Sequence, residues 1–212
     1  MIQFTKEGVE VTASPAQLRQ AREEFKKRKL FHLPALLSSE LADIVRRGIE
    51  QDGFEEPDLT KGIAATVYRG AYQVAKVCQD LRQGAIAQLI TSRTNDARLL
   101  NFVETITGSP PLTKCIGHVY RLLPMGNDLP WHTDAEGGRL ADLMIDLSAV
   151  KHEGGQFEMR DARTHEIINA ADPVPFGDGL LIPISPQIEH HHRAITGSVP
   201  KVNFSGWFVP QQ

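Results

Sequence analysis

Two side chains with the chemistry of metal ligands stand two positions apart in the middle of the chain. His132 and Asp134 belong to the segment Trp131-His132-Thr133-Asp134, and in an extended segment alternate side chains point to the same face. An imidazole and a carboxylate would therefore project together from one strand or strand end. A second histidine would complete a set of two imidazoles and one carboxylate, which leaves three adjacent positions open on ferrous iron for O2 chemistry.

The second histidine is expected from a cluster later in the chain, Glu189-His190-His191-His192-Arg193. In a strand, His190 and His192 face one way and His191 the other, so at most two of the three reach a shared interior. We expect His192 to be the ligand because it lies nine residues before Lys201, which would place a cation in the same two-strand ladder. His190 and His191 remain alternatives, as does a solvated histidine turn.

The last strand-like segment carries a second polar set. Lys201, Asn203, Ser205 and Trp207 alternate along it and would share one face. Such groups are costly to bury unless they meet an anion, and lysine is a point-charge partner for a carboxylate. A 2-oxo acid bound to the metal at its near end and to Lys201 at its far carboxylate would satisfy them. The alternative is that Lys201 is a surface residue at a sheet edge.

Composition limits the classes of function. The chain has 212 residues, 41% hydrophobic and 23% charged, as in soluble globular proteins. A formal net charge of -3 supplies no basic field for nucleic acid, and neither a membrane span nor a signal peptide is evident. Two cysteines without a CxxC motif suit a reducing compartment. We expect a cytoplasmic protein without nucleic-acid or membrane partners; its oligomeric state is not predicted.

The elements that must position these residues change in character near residue 112. Before it, start and stop signals predict helices after Ser14-Pro15, from Ser38 to Gly53, and after Asn95 or Asp96. Residues 63–93 are mixed, with strand character at 64–68 and helical spacing of Val74, Val77, Leu81, Ile86 and Leu89. After it, seven short runs broken by Gly and Pro predict a sandwich or barrel. These runs are Cys115 to Leu123, Leu140 to Leu147, Gln156 to Met159, Glu166 to Asn169, Gly179 to Ile184, His190 to Ile195, and Val202 to Val209.

Together, His132-x-Asp134, His192, Lys201 and the closing Gly206-Trp207-Phe208 resemble the Fe(II)/2-oxoglutarate-dependent dioxygenases, specifically their prolyl-hydroxylase-like branch. The resemblance covers residues from about 113 to 209. It implies one α+β domain over residues 1–212, in which a double-stranded β-helix, or jelly-roll, core at 113–209 carries mainly helical support from 1–112 on one sheet.

The resemblance also implies the roles of single residues. His132, Asp134 and His192 would bind Fe(II), and Lys201 would bind the 5-carboxylate of 2-oxoglutarate. Trp207 would line that pocket, and Tyr120 is the candidate for the cosubstrate-contacting tyrosine of the strand before the metal motif. Asn203 joins this cofactor-binding set through the face that it shares with Lys201.

The implied activity is hydroxylation of an unactivated C–H bond, with O2 as co-substrate and release of succinate and CO2. Because Asp134 is present, a halide cannot easily take the place of the carboxylate, and hydroxylation is favoured over halogenation. No catalytic residue is assigned beyond the metal ligands. The substrate would be an amino acid, a peptidyl residue or a small metabolite. Arg139, after the Gly137-Gly138 turn, is the candidate substrate contact, and the turn at Met125, Gly126 and Asn127 is a candidate lid edge.

A second function class is a jelly roll that binds a metal or small ligand as a sensor, without turnover. A sensor has no need of an anion anchor opposite the metal. The joint presence of three ligands and Lys201 therefore favours the enzyme.

Overall fold

The computed structural model describes residues 1–55, 78–81, 84–124 and 129–211. Three features predicted above lie outside these ranges: the strand at 64–68, the helical positions Val74 and Val77, and the turn at Met125, Gly126 and Asn127. In the described part of the chain, no helix is long and apolar enough to cross a membrane.

Three of the helices described begin and end where the capping signals predict, whereas the helix at Ala85–Thr94 begins after Gly84 without a side-chain cap. Ser14 and the side chain of Gln17 form a reciprocal capping box at the first helix, with Pro15 at its first position. Ser38 caps the second helix, and Asp96 caps the last. The helices are α1 (Pro15–Arg28), α2 (Ser39–Asp52), α3 (Ala85–Thr94) and α4 (Ala97–Thr107).

Five short strands lie in the described part of the first hundred residues. Leu81, which the sequence pattern placed among helical positions, lies instead in a strand, where it pairs with Phe54. Tertiary pairing therefore prevails over local periodicity at this position. These strands are β1 (Ile2–Phe4), β2 (Val9–Val11), β3 (Phe31–Leu33), β4 (Phe54–Glu55) and β5 (Cys78–Leu81).

In the described residues after 111, eight further strands build most of the two sheets of a jelly roll, and β3, β4 and β5 extend one of these sheets. The eight strands are β6 (Leu112–Leu122), β7 (Leu129–His132), β8 (Ala141–Asp146), β9 (Phe157–Asp161), β10 (Ile167–Ala171), β11 (Gly179–Pro183), β12 (Ile188–His192) and β13 (Lys201–Pro210). One sheet has the order β3-β11-β8-β13-β6-β5-β4 and the other the order β10-β9-β12-β7. The predicted double-stranded β-helix is confirmed.

The long central strand β13 separates two environments. Its residues Val202, Phe204 and Phe208 belong to the apolar core that also contains helix residues such as Leu41 and Ile106. The alternate residues face the interior between the two sheets, where the candidate site lies.

Candidate metal centre and cosubstrate cavity

The side chains that could hold a metal come from two neighbouring strands of the four-stranded sheet and from Asp134, two residues after the end of one of them. β12 runs antiparallel to β7 and places His190 opposite His132. One ligand atom from each of His132, Asp134 and His190 lies within 4.8 Å of the others. The rings of His132 and His190 are 4.4 Å apart between centroids. This is the two-histidine, one-carboxylate set expected from the sequence, with His190 in the third place.

His192, the expected third ligand, lies elsewhere. It shares the inward face of β12 with His190 but pairs with Leu129, about 7 Å farther along the strand. The expectation placed β12 and Lys201 in one ladder, whereas β12 lies between β9 and β7 and β13 belongs to the other sheet. His192 therefore meets Lys201 across the interior, with its Nδ1 3.4 Å from Nζ.

His191 faces the opposite side of the sheet, as the alternation predicts. Its ring stacks on Trp131 at 3.8 Å between centroids, and its Nε2 lies 2.9 Å from an Oε of Glu158. The guanidinium of Arg160 lies 4.2 Å from the centre of the Trp131 ring. These outer contacts hold the segment immediately before His132 against its sheet, and they remove His191 from the candidate ligands.

The imidazole of His132 has the tautomer and the charge state that a metal ion would require. Its Nδ1 lies 2.7 Å from the carbonyl oxygen of Pro130, and because a carbonyl only accepts, Nδ1 carries the proton and Nε2 carries the free lone pair. Burial and the neighbouring His190 lower the pKa of His132 to about 4. The ring is therefore neutral near pH 7, which is the form that binds metals.

The carboxylate of Asp134 is held by several partners. The indole Nε1 of Trp207 donates to its Oδ2 at 2.7 Å, and Nε2 of His190 lies 3.5 Å from the same oxygen. Burial alone would raise the pKa of Asp134, but the contacts with His190, His132 and Trp207 outweigh it and hold that pKa low. Burial would likewise lower the pKa of His190, yet Asp134 raises it. Asp134 is therefore an anion, and the imidazole of His190 beside it is more basic than that of an ordinary histidine.

Arg139, the candidate substrate contact, reaches this centre. Gly137 and Gly138 both have positive φ, 60° and 75°, so the preceding turn requires glycine. Arg139 then packs over the Trp207 ring with its Cζ 4.2 Å from the ring centre. Its Nη1 lies 3.7 Å from Oδ1 of Asp134, and its side chain is 8% exposed.

Asp142 is a buried carboxylate that the sequence interpretation did not assign. It accepts from the Ser205 hydroxyl and from the backbone N–H of Gly206, each at 3.0 Å. Burial and the charge of Asp134 raise its pKa to about 7. The sequence signal that could have identified Asp142 is an acidic residue inside the apolar run 140–147, because a buried acid implies polar partners.

Lys201 lies in the interior at the start of β13, as predicted. Its Nζ donates to the Gly155 carbonyl at 2.9 Å, and burial lowers its pKa to about 8. Burial and the charge of Lys201 hold the pKa of His192 well below its usual value. Both side chains line a cavity of about 10 Å³, room for about one water molecule; its walls include Lys201, Asn203, Asp146, His192, Met144 and Phe157.

The remaining cofactor-binding candidates also face the interior. Asn203 is cross-strand from both Tyr120 and Asp146, and Tyr120 is buried. The His118 ring lies between those of Tyr120 and Trp207, at centroid distances of 5.3 Å and 5.8 Å. Lys201, Asn203 and Trp207 therefore share the predicted face, with Tyr120 beside them.

The structure is similar to known oxygenases. An oxidoreductase of the 2OG-Fe(II) oxygenase family from Burkholderia pseudomallei aligns with a TM-score of 0.65 at 12% identity, over 99% of this chain and 95% of that one. A Pseudomonas putida prolyl-4-hydroxylase aligns at 0.57 and 17% identity, over 95% and 99%. The non-heme α-ketoglutarate-dependent epimerase SnoN from nogalamycin biosynthesis aligns at 0.62 and 15% identity, over 93% and 84%.

These alignments define the class of fold. No protein-family model and no curated protein sequence matches the chain. At 12% to 17% identity the likeness concerns the fold, which is that of the 2OG-Fe(II) oxygenases, including prolyl-4-hydroxylases. The resemblance drawn from the sequence motifs is thus confirmed at the level of fold.

Proposed function

We propose that this protein is an Fe(II)- and 2-oxoglutarate-dependent dioxygenase. It hydroxylates an unactivated C–H bond of an amino acid, a peptidyl residue or a small metabolite, using O2 and releasing succinate and CO2. The observation that carries the proposal is the pairing of two polar sites in one interior. His132, Asp134 and His190 converge at one of them, and the buried ammonium of Lys201 lies at the other.

The donor set suits ferrous iron. Two imidazoles and one carboxylate leave coordination positions open, as non-haem Fe(II) oxygenases require. The Pro130 carbonyl fixes the His132 tautomer, and Trp207 orients Asp134, which are the supporting hydrogen bonds that metal ligands usually have. We therefore assign the iron to His132, Asp134 and His190, and not to His192.

The side chains of the protein contribute mainly by holding the metal and the cosubstrate in position. When bound, Fe(II) supplies O2 activation and oxidation of the 2-oxo acid. Lys201 binds the far carboxylate of that acid, while Tyr120, Asn203 and Trp207 shape the space between Lys201 and the metal. Water is excluded because these side chains are buried, and a dry site strengthens the attraction between ammonium and carboxylate.

Arg139 is proposed as the substrate contact. Its guanidinium has one ion-pair partner, Asp134, at 3.7 Å in the described part of the chain, which is loose for a charge-assisted hydrogen bond. Iron would draw on the charge of Asp134, so the guanidinium would be available to an anion. We propose that the substrate presents a carboxylate or another anionic group to Arg139.

The ligand assignment has a direct test. Wild-type protein with Fe(II) and 2-oxoglutarate under argon is expected to show a weak visible metal-to-ligand charge-transfer band. His190→Ala should abolish this band and weaken Fe(II) binding by more than the roughly 10- to 100-fold that loss of a supporting residue costs, because it removes a ligand itself. His192→Ala should retain Fe(II) binding and perturb only 2-oxoglutarate binding, and His165→Ala, in an exposed turn, is the control.

The reverse result would contradict this assignment. If His192→Ala removes iron and His190→Ala does not, the third ligand is His192. Succinate release against a panel of free amino acids and proline-containing peptides then separates enzyme from sensor. A sensor would bind iron and 2-oxoglutarate but would release no succinate in the presence of any substrate of the panel.

A further inference from the structure

The strand that carries His132 has little support of its own. β7 is four residues long and lies at the end of its sheet, where it pairs only with β12 in the described part of the chain. All four of its residues are half-buried, so the contrast between a buried and an exposed face that usually sets strand register is missing. A shift of one residue would turn every side chain of β7 to the opposite face, and His132 would then point out of the interior.

The pairing of β7 with β12 also contains an irregularity. His190 and His192 are two residues apart on β12. Their partners on β7, His132 and Leu129, are three residues apart. β7 therefore carries one extra residue opposite His191, which is the arrangement of a β-bulge, a feature that redirects side chains near active sites. The position of this bulge decides which β7 residue lies opposite His190.

The outer face of the sheet holds the bulge in this position. Trp131 stacks on His191 with 3.8 Å between ring centroids. The guanidinium of Arg160, on β9, lies 4.2 Å from the centre of the Trp131 ring. Since β12 separates β9 from β7, Arg160 reaches across one strand, and its contact joins three strands. We call Trp131, His191 and Arg160 the outer stack.

Two carboxylates fix the orientation of the outer stack. Glu158 is directly cross-strand from His191 and accepts from its Nε2 at 2.9 Å; this bond is the main cause of the low pKa of Glu158. Glu189 is directly cross-strand from Arg160 and accepts from its Nε at 2.8 Å. The His191 side chain is almost completely buried. Trp131 therefore meets groups on β12 and β9 that are themselves held in place.

The inner ligands and the outer stack are linked through the backbone. Neighbouring residues of a strand project to opposite faces, and the same two strands carry both pairs of rings. Inside, His132 and His190 are 4.4 Å apart between centroids. Outside, their chain neighbours Trp131 and His191 are 3.8 Å apart. The register in which the outer rings meet is therefore the register in which the two inner imidazoles meet.

We propose, on the basis of the metal site proposed above, that His191 is a positioning residue of the metal centre. By stacking on Trp131, it fixes the register in which β7 presents His132 to His190. The three consecutive histidines then have three separate roles. His190 binds the metal, His191 fixes the strand that carries the other ligands, and His192 lines the cosubstrate cavity.

Anaerobic titration with Fe(II) tests this role. His191→Ala removes one ring of the stack and should weaken Fe(II) binding by about 10- to 100-fold, the range for residues that support metal ligands. Trp131→Leu removes the other ring and should cause the same loss, and it replaces His191→Ala if that variant fails to fold. Because both substitutions remove one shared contact, the double variant should bind Fe(II) about as weakly as either single variant.

Conservative variants separate the stack from the rest of the outer face. His191→Phe and Trp131→Phe each keep two aromatic rings in contact and should leave Fe(II) affinity near that of the wild type. Arg193→Gln is the matched control. It removes an ion pair with Glu158 from the same face of the sheet but leaves both rings in place, so it should not change Fe(II) affinity.

A spectroscopic measurement distinguishes positioning from general stabilisation. Bound Co(II) reports the geometry of its ligands through its visible absorption, and His191→Ala should alter this spectrum at saturating Co(II). A residue that only stabilised the fold would behave differently. Its loss would lower the unfolding temperature of the metal-free protein, while the folded variant kept the wild-type spectrum and Fe(II) affinity. That result overturns the inference.

The remaining outcomes separate this inference from the proposed function. Additive losses in the double variant, or an equal loss in Arg193→Gln, overturn the positioning role of His191. They leave the dioxygenase proposal intact, because the wild-type protein would still bind Fe(II) and 2-oxoglutarate. If the wild-type protein binds neither Fe(II) nor Co(II), the proposed function fails, and this inference fails with it.

Discussion

The two faces of β13 differ in what they bury. One face places Val202, Phe204 and Phe208 against the helices in a continuous apolar core. The other face buries Lys201 and Asn203, together with Ser205 and Trp207. Both faces are almost completely withdrawn from water, so burial alone does not distinguish them.

The comparison separates residues that stabilise the fold from residues held in place by it. Apolar burial contributes favourable free energy in proportion to area, whereas a buried ammonium is unfavourable without a fixed partner. In the described structure, Lys201 has only a backbone carbonyl and a neutral histidine at short range. The polar face therefore reduces stability, and the apolar face compensates for it.

The largest stability effect is expected from Phe204→Ala, on the helix-facing side. Phe204 is almost fully buried and packs against Gly117 and Gly206, where an added Cβ would lie 2.5 Å from its ring atoms. Truncating a buried phenylalanine generally costs about 3–5 kcal/mol. Urea unfolding should show this loss, with the variant still binding Fe(II) where it is folded. A loss below about 1 kcal/mol would contradict the division between the faces.

Much of the fold could be predicted because its signals are local. The capping residues Ser14, Ser38 and Asp96 act within one helical turn of their own position, and the seven runs predicted after residue 112 are short apolar or alternating segments separated by Gly and Pro. Leu81 was misassigned because its partner, Phe54, is distant in sequence.

The candidate site could be predicted only in part, because spacing along one strand does not specify register between strands. Alternation on β12 correctly set His190 and His192 apart from His191. Choosing between His190 and His192 required the antiparallel register with β7, which pairs His190 with His132. Lys201, Asn203 and Trp207 were predicted to share a face because one strand carries all three.

A smaller effect of opposite sign is expected from Lys201→Met, on the interior face. The folded-state pKa of about 8 lies below the ordinary 10.5, so the unfolded chain binds more protons between these values. Stability should therefore rise from pH 8 to 10.5, and below pH 8 the lysine costs about 3 kcal/mol. The methionine variant should gain about 2 kcal/mol, since the Gly155 carbonyl loses a donor worth about 1 kcal/mol.

The same variant should lose affinity for 2-oxoglutarate while keeping Fe(II) affinity near normal, because Lys201 begins β13 six residues before Trp207, the residue of that strand that bonds to Asp134. Thermal unfolding at pH 7 and separate titrations of metal and cosubstrate would measure the two effects. Lys151→Met, at an exposed position, is the control and should change stability by less than about 0.5 kcal/mol. Equal loss of iron and cosubstrate would show that Lys201 is structural.

The smallest effect is expected from Trp207→Phe, which keeps an aromatic ring on the interior face and removes one donor. The indole N–H that orients Asp134 at 2.7 Å is lost, and such supporting hydrogen bonds are worth about 10- to 100-fold in metal affinity. We expect Fe(II) binding to weaken about tenfold in an anaerobic titration. Trp131→Phe alters the only other tryptophan, which stacks outside the sheet, and should leave Fe(II) affinity unchanged. Equal losses in both variants would mean that strand packing, and not the bond to Asp134, determines the affinity.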